Sequence, residues 1–161
     1  MDFPLIVIQI LELTKSRIAI NNLNQYSQFV NCKSTQGYTA LHYASYRGNI
    51  EIIKVLIENG AEIETPNVQG INVLHMAAQG NQPASFVYFV EKYKLSLQGV
   101  DVAGSTPLHW ACYSGSEDMI NFLLAYKETD LNAQDKEGFT PLHLSILSGN
   151  SDDKTRQNKN D

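Results

Sequence analysis

Apolar residues recur at helical spacing in short segments of this chain, and polar residues and glycines separate the segments. Between Ile50 and Asn59 the apolar positions are Ile52, Ile53, Leu56 and Ile57. This stripe predicts an amphipathic helix that packs against a neighbour. Gly60 is expected to end the helix. Residues 83–92 and 117–126 show similar patterns and predict two further helices, the first of which opens at Pro83.

A second class of segment contains every histidine of the protein and many small residues, as in "YTALHYASYRG" and "STPLHWACYSG". The intervals from His42 to His75, His109 and His143 are 33, 34 and 34 residues, and the same intervals separate Gly37, Gly70, Gly104 and Gly138. A fixed period of this length predicts a repeat protein. In the second copy Gly80 follows its histidine by five residues instead of six, which we interpret as one missing residue, recovered before Gly104.

Each copy reads as a turn followed by two helices, and the first helix has a recognisable start. The residue three positions before each histidine has a side chain that accepts hydrogen bonds from free amides at a helix start. Where proline occurs it follows this residue, at the one helical position that loses nothing by lacking an N–H. We therefore predict four structural caps, formed by Thr39 with His42, Asn72 with His75, Thr106 with His109, and Thr140 with His143.

The combined pattern G-x-T-P-L-H-x-A-x-x-x-G, followed by a helix and then by a segment such as "LNAQD", resembles the ankyrin repeat. The resemblance covers Ser34 to Asn150. It implies an all-α fold, in which helix-turn-helix units joined by hairpin loops stack into a solenoid. We expect a degenerate N-terminal capping repeat at 1–33, ankyrin repeats at 34–66, 67–100 and 101–134, an incomplete repeat at 135–149, and a polar, disordered tail at 150–161.

The histidines could instead be metal ligands or catalytic bases. Stacked helices lie about 8–10 Å apart, whereas one zinc ion needs its nitrogen ligands at about 2.0–2.1 Å. No nucleophile or carboxylate recurs at a fixed offset from them, as catalysis would require. We expect a histidine at the third helical position to bond back toward the cap, as glutamate does in a capping box. No metal, cofactor or catalytic residue is predicted.

Composition narrows the class of partner. The chain of 161 residues has a net charge of -5, and its basic residues are scattered, so nucleic acid is not expected as a partner. Cys32 and Cys112 lie far apart, which favours free thiols in a reducing, cytoplasmic compartment. There is no phosphate loop, nucleophile elbow or HExxH motif. We predict neither enzymatic activity nor a small-molecule substrate.

Another protein is therefore the expected partner. In the ankyrin family the hairpin tips and first helices build the usual protein-binding face, which is concave. Aromatic residues and arginine dominate binding hot spots. On this basis we predict that six residues contact the partner, namely Tyr38, Tyr46, Arg47, Trp110, Tyr113 and Phe139.

Two further hypotheses stay open. The second half, including "HMAAQGNQP" and "STPLHWACYSG", resembles the ankyrin segment of DHHC-type protein S-acyltransferases, in which the repeats are thought to choose the substrate. The chain would then be the recruiting arm of a longer, membrane-associated enzyme. It has no transmembrane segment itself, because the apolar N-terminal run "PLIVIQIL" is too short to span a bilayer. Alternatively, the apolar ends "LIVIQIL" and "LHLSIL" could be covered by neighbours in a larger assembly.

Overall fold

In a computed structural model, residues 3–17 and 23–148 are described, and within these ranges the chain contains nine helices and no strand. They are α1 (Phe3–Arg17), α2 (Leu23–Val30), α3 (Ala40–Arg47), α4 (Ile50–Glu58), α5 (Val73–Gln79), α6 (Pro83–Tyr93), α7 (Pro107–Ser114), α8 (Glu117–Ala125) and α9 (residues 141–148). The all-α prediction is confirmed. The predicted tail at 150–161 and part of the predicted leading repeat lie outside the described residues.

Local sequence signals explain where these helices begin and end. The side chain of Asn49 accepts a hydrogen bond from the amide of Ile52 at 3.0 Å and so caps α4. Pro83 occupies the first turn of α6, as the sequence predicted. After α4, Gly60 has φ = 91°, a conformation that costs glycine little. Helix α8 has no such glycine and instead ends at an extended Tyr126.

The predicted deletion in the second copy is wrong. Asn81, six residues after His75, has φ = 55° and stands in register with the left-handed glycines Gly48 and Gly115. The residue after Asn81, Gln82, donates its amide to the carbonyl of Ala77. The residues after Gly48 and Gly115 donate to Ala44 and Ala111 in the same way. Asparagine tolerates this conformation better than most residues do. Gly80 is therefore the last residue before the turn, with φ = -79°, and the second copy has its full length.

The hairpin loops stack directly on one another. Val68 donates its amide to Gln36 at 3.2 Å, Val102 to Gln69 at 2.8 Å, and Lys136 to Ala103 at 2.9 Å. These backbones approach so closely that a Cβ atom on Gly37 or Gly70 would lie 2.9 Å from a backbone nitrogen of the next loop. The glycine period thus reflects backbone contact between repeats as well as a left-handed turn.

The core lies between two layers of helices. Helix α5 packs between α3 and α7, and it buries every residue from Val73 to Ala78. The second helices contribute large side chains such as Ile53, Phe86 and Leu123. Leu11 of α1 and Val30 of α2 join the same cluster. No helix of the described ranges is long and apolar enough to cross a membrane.

Candidate protein-binding face

Each histidine lies at the third position of a first helix and contacts the residue that caps that helix. The backbone N–H of Thr39 donates to Nδ1 of His42 at 3.2 Å, and the equivalent distances are 3.3 Å at Asn72, 3.1 Å at Thr106 and 3.1 Å at Thr140. A ring nitrogen that accepts a backbone N–H carries no proton, so in a neutral ring the proton is assigned to Nε2. This arrangement matches the geometry expected of a capping box.

The other ring nitrogen makes a contact that the sequence did not reveal. Nε2 of His42 lies 3.1 Å from the carbonyl oxygen of Ile71. The same nitrogen of His75 lies 3.0 Å from the Ser105 carbonyl oxygen, and that of His109 lies 3.1 Å from the Phe139 carbonyl oxygen. Each carbonyl belongs to the hairpin of the following repeat. These three histidines therefore bind one repeat to the next, in addition to fixing their own helix start.

Burial decides the charge of the His42 and His75 rings. It lowers the pKa of His42, and it also lowers the pKa of His75, although the hydrogen bond to the Ser105 carbonyl and the negative charge of Asp101 act in the opposite direction. Both rings are thus neutral near pH 7. Among the described residues no group of three His, Cys, Asp or Glu side chains could hold a metal ion.

Trp110 and Tyr113 lie in one groove between the hairpin tips and the first helices. The groove has a volume of about 480 Å³ and we call it the Trp110 groove; it is lined by Gln69, Asp101, Val102, Ala103, Ser105, His109, Trp110, Tyr113, Asp135 and Leu144. Tyr113 is 61% exposed and Val102 59% exposed. Trp110 is half-buried, and its Nε1–H donates to Oδ2 of Asp101 at 2.9 Å. The groove therefore presents aromatic and aliphatic surface, and Asp101 holds the Trp110 indole in place.

Two carboxylates line this groove, and our site prediction did not include them. Oδ1 of Asp101 accepts the amide of Ser105, and Oδ1 of Asp135 accepts the amides of Glu137 and Phe139. Both side chains thus shape the hairpin turn that they begin. The signal was present in the sequence, because each stands three residues before a glycine of the period, where Asn67 and Ser34 stand in the earlier copies.

Tyr46 and Arg47 lie at a different place, beside Gln79, Gly80, Ser114 and Gly115. This second depression, at the C-terminal ends of the first helices, is lined mainly by polar atoms. Tyr46 is 39% exposed. The structure therefore separates the six predicted contact residues into more than one group.

Tyr38 and Phe139 occupy equivalent positions in the first and last hairpins. Both are half-buried, and their rings pack at right angles to a histidine, Tyr38 with His42 at 5.6 Å and Phe139 with His143 at 6.1 Å between centroids. Their aromatic surface thus supports the cap.

The family assignment rests on the repeats just described. A family model for ankyrin repeats (3 copies) matches residues 11–98 and 74–153. These matches cover most of the chain, and the chain belongs to the ankyrin repeat family. Ankyrin repeats indicate a protein–protein interaction module and a protein as the partner.

Several curated proteins are similar to parts of the chain. Notch-regulated ankyrin repeat-containing protein A of Danio rerio is 35% identical over 77 residues, which are 48% of this chain and 69% of that protein. The Homo sapiens Notch-regulated ankyrin repeat-containing protein is 34% identical over 80 residues, or 50% of this chain and 70% of the relative. Ankyrin repeat and SOCS box protein 3 of Bos taurus is 51% identical over 43 residues, only 27% of this chain and 8% of the relative.

Proposed function

We propose that the chain is a non-enzymatic adaptor that binds a segment of a partner protein in the Trp110 groove. The observation that carries this proposal is the position of Trp110 and Tyr113 on adjacent turns of α7, beside the exposed Val102 of the preceding hairpin tip. Aromatic side chains bury a large area at low entropic cost, which makes such a cluster a suitable hot spot. The hydrogen bond from Trp110 to Asp101 holds the indole in place before binding.

The charges around the groove favour one class of partner segment. Asp101 and Asp135 line it, and none of its lining residues is positively charged. Oδ2 of Asp135 accepts no hydrogen bond from the described residues. A lysine or arginine of the partner would pair with this carboxylate while its aliphatic stem packs on Trp110 or Tyr113. We therefore propose an extended segment that carries a basic residue next to an apolar one.

Tyr46 and Arg47 extend the proposed surface along the C-terminal ends of the first helices, and Tyr38 and Phe139 extend it to the hairpins. Their contribution is secondary, because Tyr38 and Phe139 are half-buried against histidines. The proposed compartment is the cytoplasm. The net charge of -5 disfavours nucleic acid as the partner.

Site-specific cross-linking tests the location of the binding face. A photoreactive amino acid replaces Tyr113 in one variant and Glu91, an exposed residue of the second helix α6, in a matched control. The proposal expects a partner to be cross-linked at position 113 and not at position 91. Cross-linking of the same protein at position 91 alone would move the binding face to the second helices and contradict the proposal.

The resemblance to the ankyrin segment of DHHC-type S-acyltransferases stays a prediction about a longer protein. In that case the same groove would recruit the substrate of the enzyme, so the cross-linking experiment also serves this alternative. A cross-linked partner that becomes S-acylated in cells would favour it.

A further inference from the structure

The contact between successive repeats has the same three components wherever it occurs in the described chain. A histidine Nε2–H donates to the carbonyl of the next hairpin, as His75 does to Ser105. A hairpin amide donates to the preceding hairpin, as Val102 does to Gln69. Apolar residues of neighbouring first helices pack together, as α5 does on α7. Each repeat therefore has a C-terminal face, with the histidine Nε2–H as donor and a hairpin carbonyl as acceptor, and an N-terminal face, with a hairpin amide as donor and a hairpin carbonyl as acceptor.

The last repeat presents the first of these faces without an occupant among the described residues. His143 is exposed, and its Nε2 has no acceptor there, unlike the three histidines before it. The carbonyl of Glu137, which corresponds to that of Gln69, receives no hairpin amide. A Cβ on Gly138 would meet nothing within 4 Å, whereas a Cβ on Gly104 would lie 3.1 Å from the amide nitrogen of Lys136.

The apolar part of the same face is also open. Leu142 is 69% exposed, while its equivalent Leu108 in α7 is 3% exposed. Ile146 is 59% exposed, and the equivalent Cys112 is 6% exposed. Exposed apolar clusters of this kind mark interaction surfaces. Helix α7 is followed by a further hairpin and first helix, whereas α9 is the last helix of the described residues.

The first hairpin and α3 present the complementary face at the other end. The amide of Thr35, which corresponds to Val68 and Val102, donates to no acceptor in the described chain. The carbonyl of Tyr38 occupies the place of the Ile71 carbonyl, which accepts from His42. Tyr43 of α3 is 53% exposed, whereas its equivalent Met76 in α5 is 6% exposed. Helix α1 packs on α4, and Ala40 and Tyr43 of α3 are exposed.

We infer that a second copy of this chain docks head to tail on the first, with its Thr35–Tyr43 face on the Glu137–Ile146 face. His143 Nε2–H donates to the Tyr38 carbonyl of the second copy, and the Thr35 amide of that copy donates to Glu137. Leu142 and Ile146 are covered by Tyr43 and the rest of α3. The contact is heterologous, so association continues to higher oligomers unless a ring closes.

Two variants block one face each. Leu142→Lys with Ile146→Lys blocks the C-terminal face, and Thr35→Pro with Tyr43→Lys blocks the N-terminal face. These four side chains are exposed, and proline is favoured at the second position of the Ser34–Gly37 turn, so both variants should fold. Lysine on both sides ensures that the altered faces repel each other. Val68→Lys, which alters an equally exposed apolar residue of an internal hairpin, is the control.

Sedimentation over a concentration range of about 10 µM to 1 mM, which covers weak interfaces, measures the association. The wild type and the Val68 control are expected to form oligomers that grow with concentration, and each blocked variant alone to remain monomeric. A 1:1 mixture of the two blocked variants should form a dimer and nothing larger. Circular dichroism confirms that every variant is folded.

Three results would overturn the inference. The first is a wild type that remains monomeric throughout the range. The second is a blocked variant that still dimerises alone, because a symmetric contact would then use one face twice. The third is a mixture of blocked variants that stays monomeric.

Discussion

Nε2 of His75 lies 3.0 Å from the carbonyl oxygen of Ser105, a residue 30 positions further along the chain. The same ring accepts the amide of Asn72 through Nδ1. One buried side chain thus fixes the start of its own helix and the hairpin of the next repeat. His42 and His109 make the same double contact from the same position of their repeats.

Removing the ring of His75 should cost more stability than removing that of His143. His75→Ala leaves the amide of Asn72 without its partner and removes the bond to the Ser105 carbonyl, which keeps only the amide of Asp101. We expect a loss of about 3 kcal/mol in the free energy of unfolding. His143 is exposed, and its Nε2 has no acceptor among the described residues, so His143→Ala should cost about 1 kcal/mol or less. Urea denaturation at pH 7.5 measures both values. Equal losses would show that the contact between repeats contributes nothing.

Acid should destabilise the fold before most carboxylates titrate. Burial lowers the pKa of His42 and His75 in the folded chain, below the unfolded value of about 6.5. The folded state thus binds fewer protons, and its full stability is present above the unfolded pKa and is lost as pH falls from about 6.5 through the lower folded values. We expect the urea midpoint to fall between pH 7.5 and pH 5.5.

A variant without one of these rings provides the control for the pH effect. His75→Gln cannot be protonated in this range, so its urea midpoint should depend less on pH than that of the wild type. A variant that loses stability as steeply as the wild type would contradict the role of His75. An unchanged wild-type midpoint would contradict the neutral state of both rings.

Gly80 should tolerate alanine poorly even though its backbone conformation suits any residue. Its φ is -79°, but a Cβ there would overlap the backbone carbonyl of Tyr46 in the neighbouring helix. We expect Gly80→Ala to cost about 2–3 kcal/mol through this steric conflict. Gly115→Ala is the comparison, because its Cβ meets nothing and only its φ of 66° is strained, which costs about 1–2 kcal/mol. Thermal unfolding measures both variants. If Gly115→Ala loses more stability than Gly80→Ala, the neighbouring helices separate easily at Gly80.

Helix starts and the repeat period were predictable from sequence because both depend on residues close together in the chain. The position of Thr106 relative to His109 is one example, since a cap acts over three residues. The register of the second copy was not predicted correctly, because glycine was assumed at the left-handed position that Asn81 occupies. Counting six residues from His75 would have placed Asn81 there.

The candidate site was less predictable because it joins residues from several repeats. The groove combines Val102 from one hairpin with Trp110 and Asp135, and single-sequence patterns do not show how far each side chain is covered. The contact between His109 and the Phe139 carbonyl also spans 30 residues. Its donor was predicted as a cap, but its acceptor is a backbone atom and carries no sequence signal.

Charge should contribute to partner binding through Asp135. Asp135→Asn keeps the oxygen that supports its hairpin and removes the negative charge from the groove. We expect an affinity about tenfold lower for the partner cross-linked at position 113, together with a weaker dependence on salt. Asp130→Asn is the control, because Asp130 accepts a similar local amide but does not line the groove. Equal effects of both substitutions would indicate a general charge effect.

The most direct test of the central claim is the affinity of the same partner for Tyr113→Ala and for Tyr88→Ala, read from the fluorescence of Trp110, the only tryptophan of the chain. Tyr113 lines the groove, and Tyr88 lies on the second helix α6. If the groove binds the partner, the wild-type fluorescence changes on titration, Tyr113→Ala weakens binding by about tenfold or more, and Tyr88→Ala binds normally. Binding that is lost in Tyr88→Ala and retained in Tyr113→Ala would contradict the account.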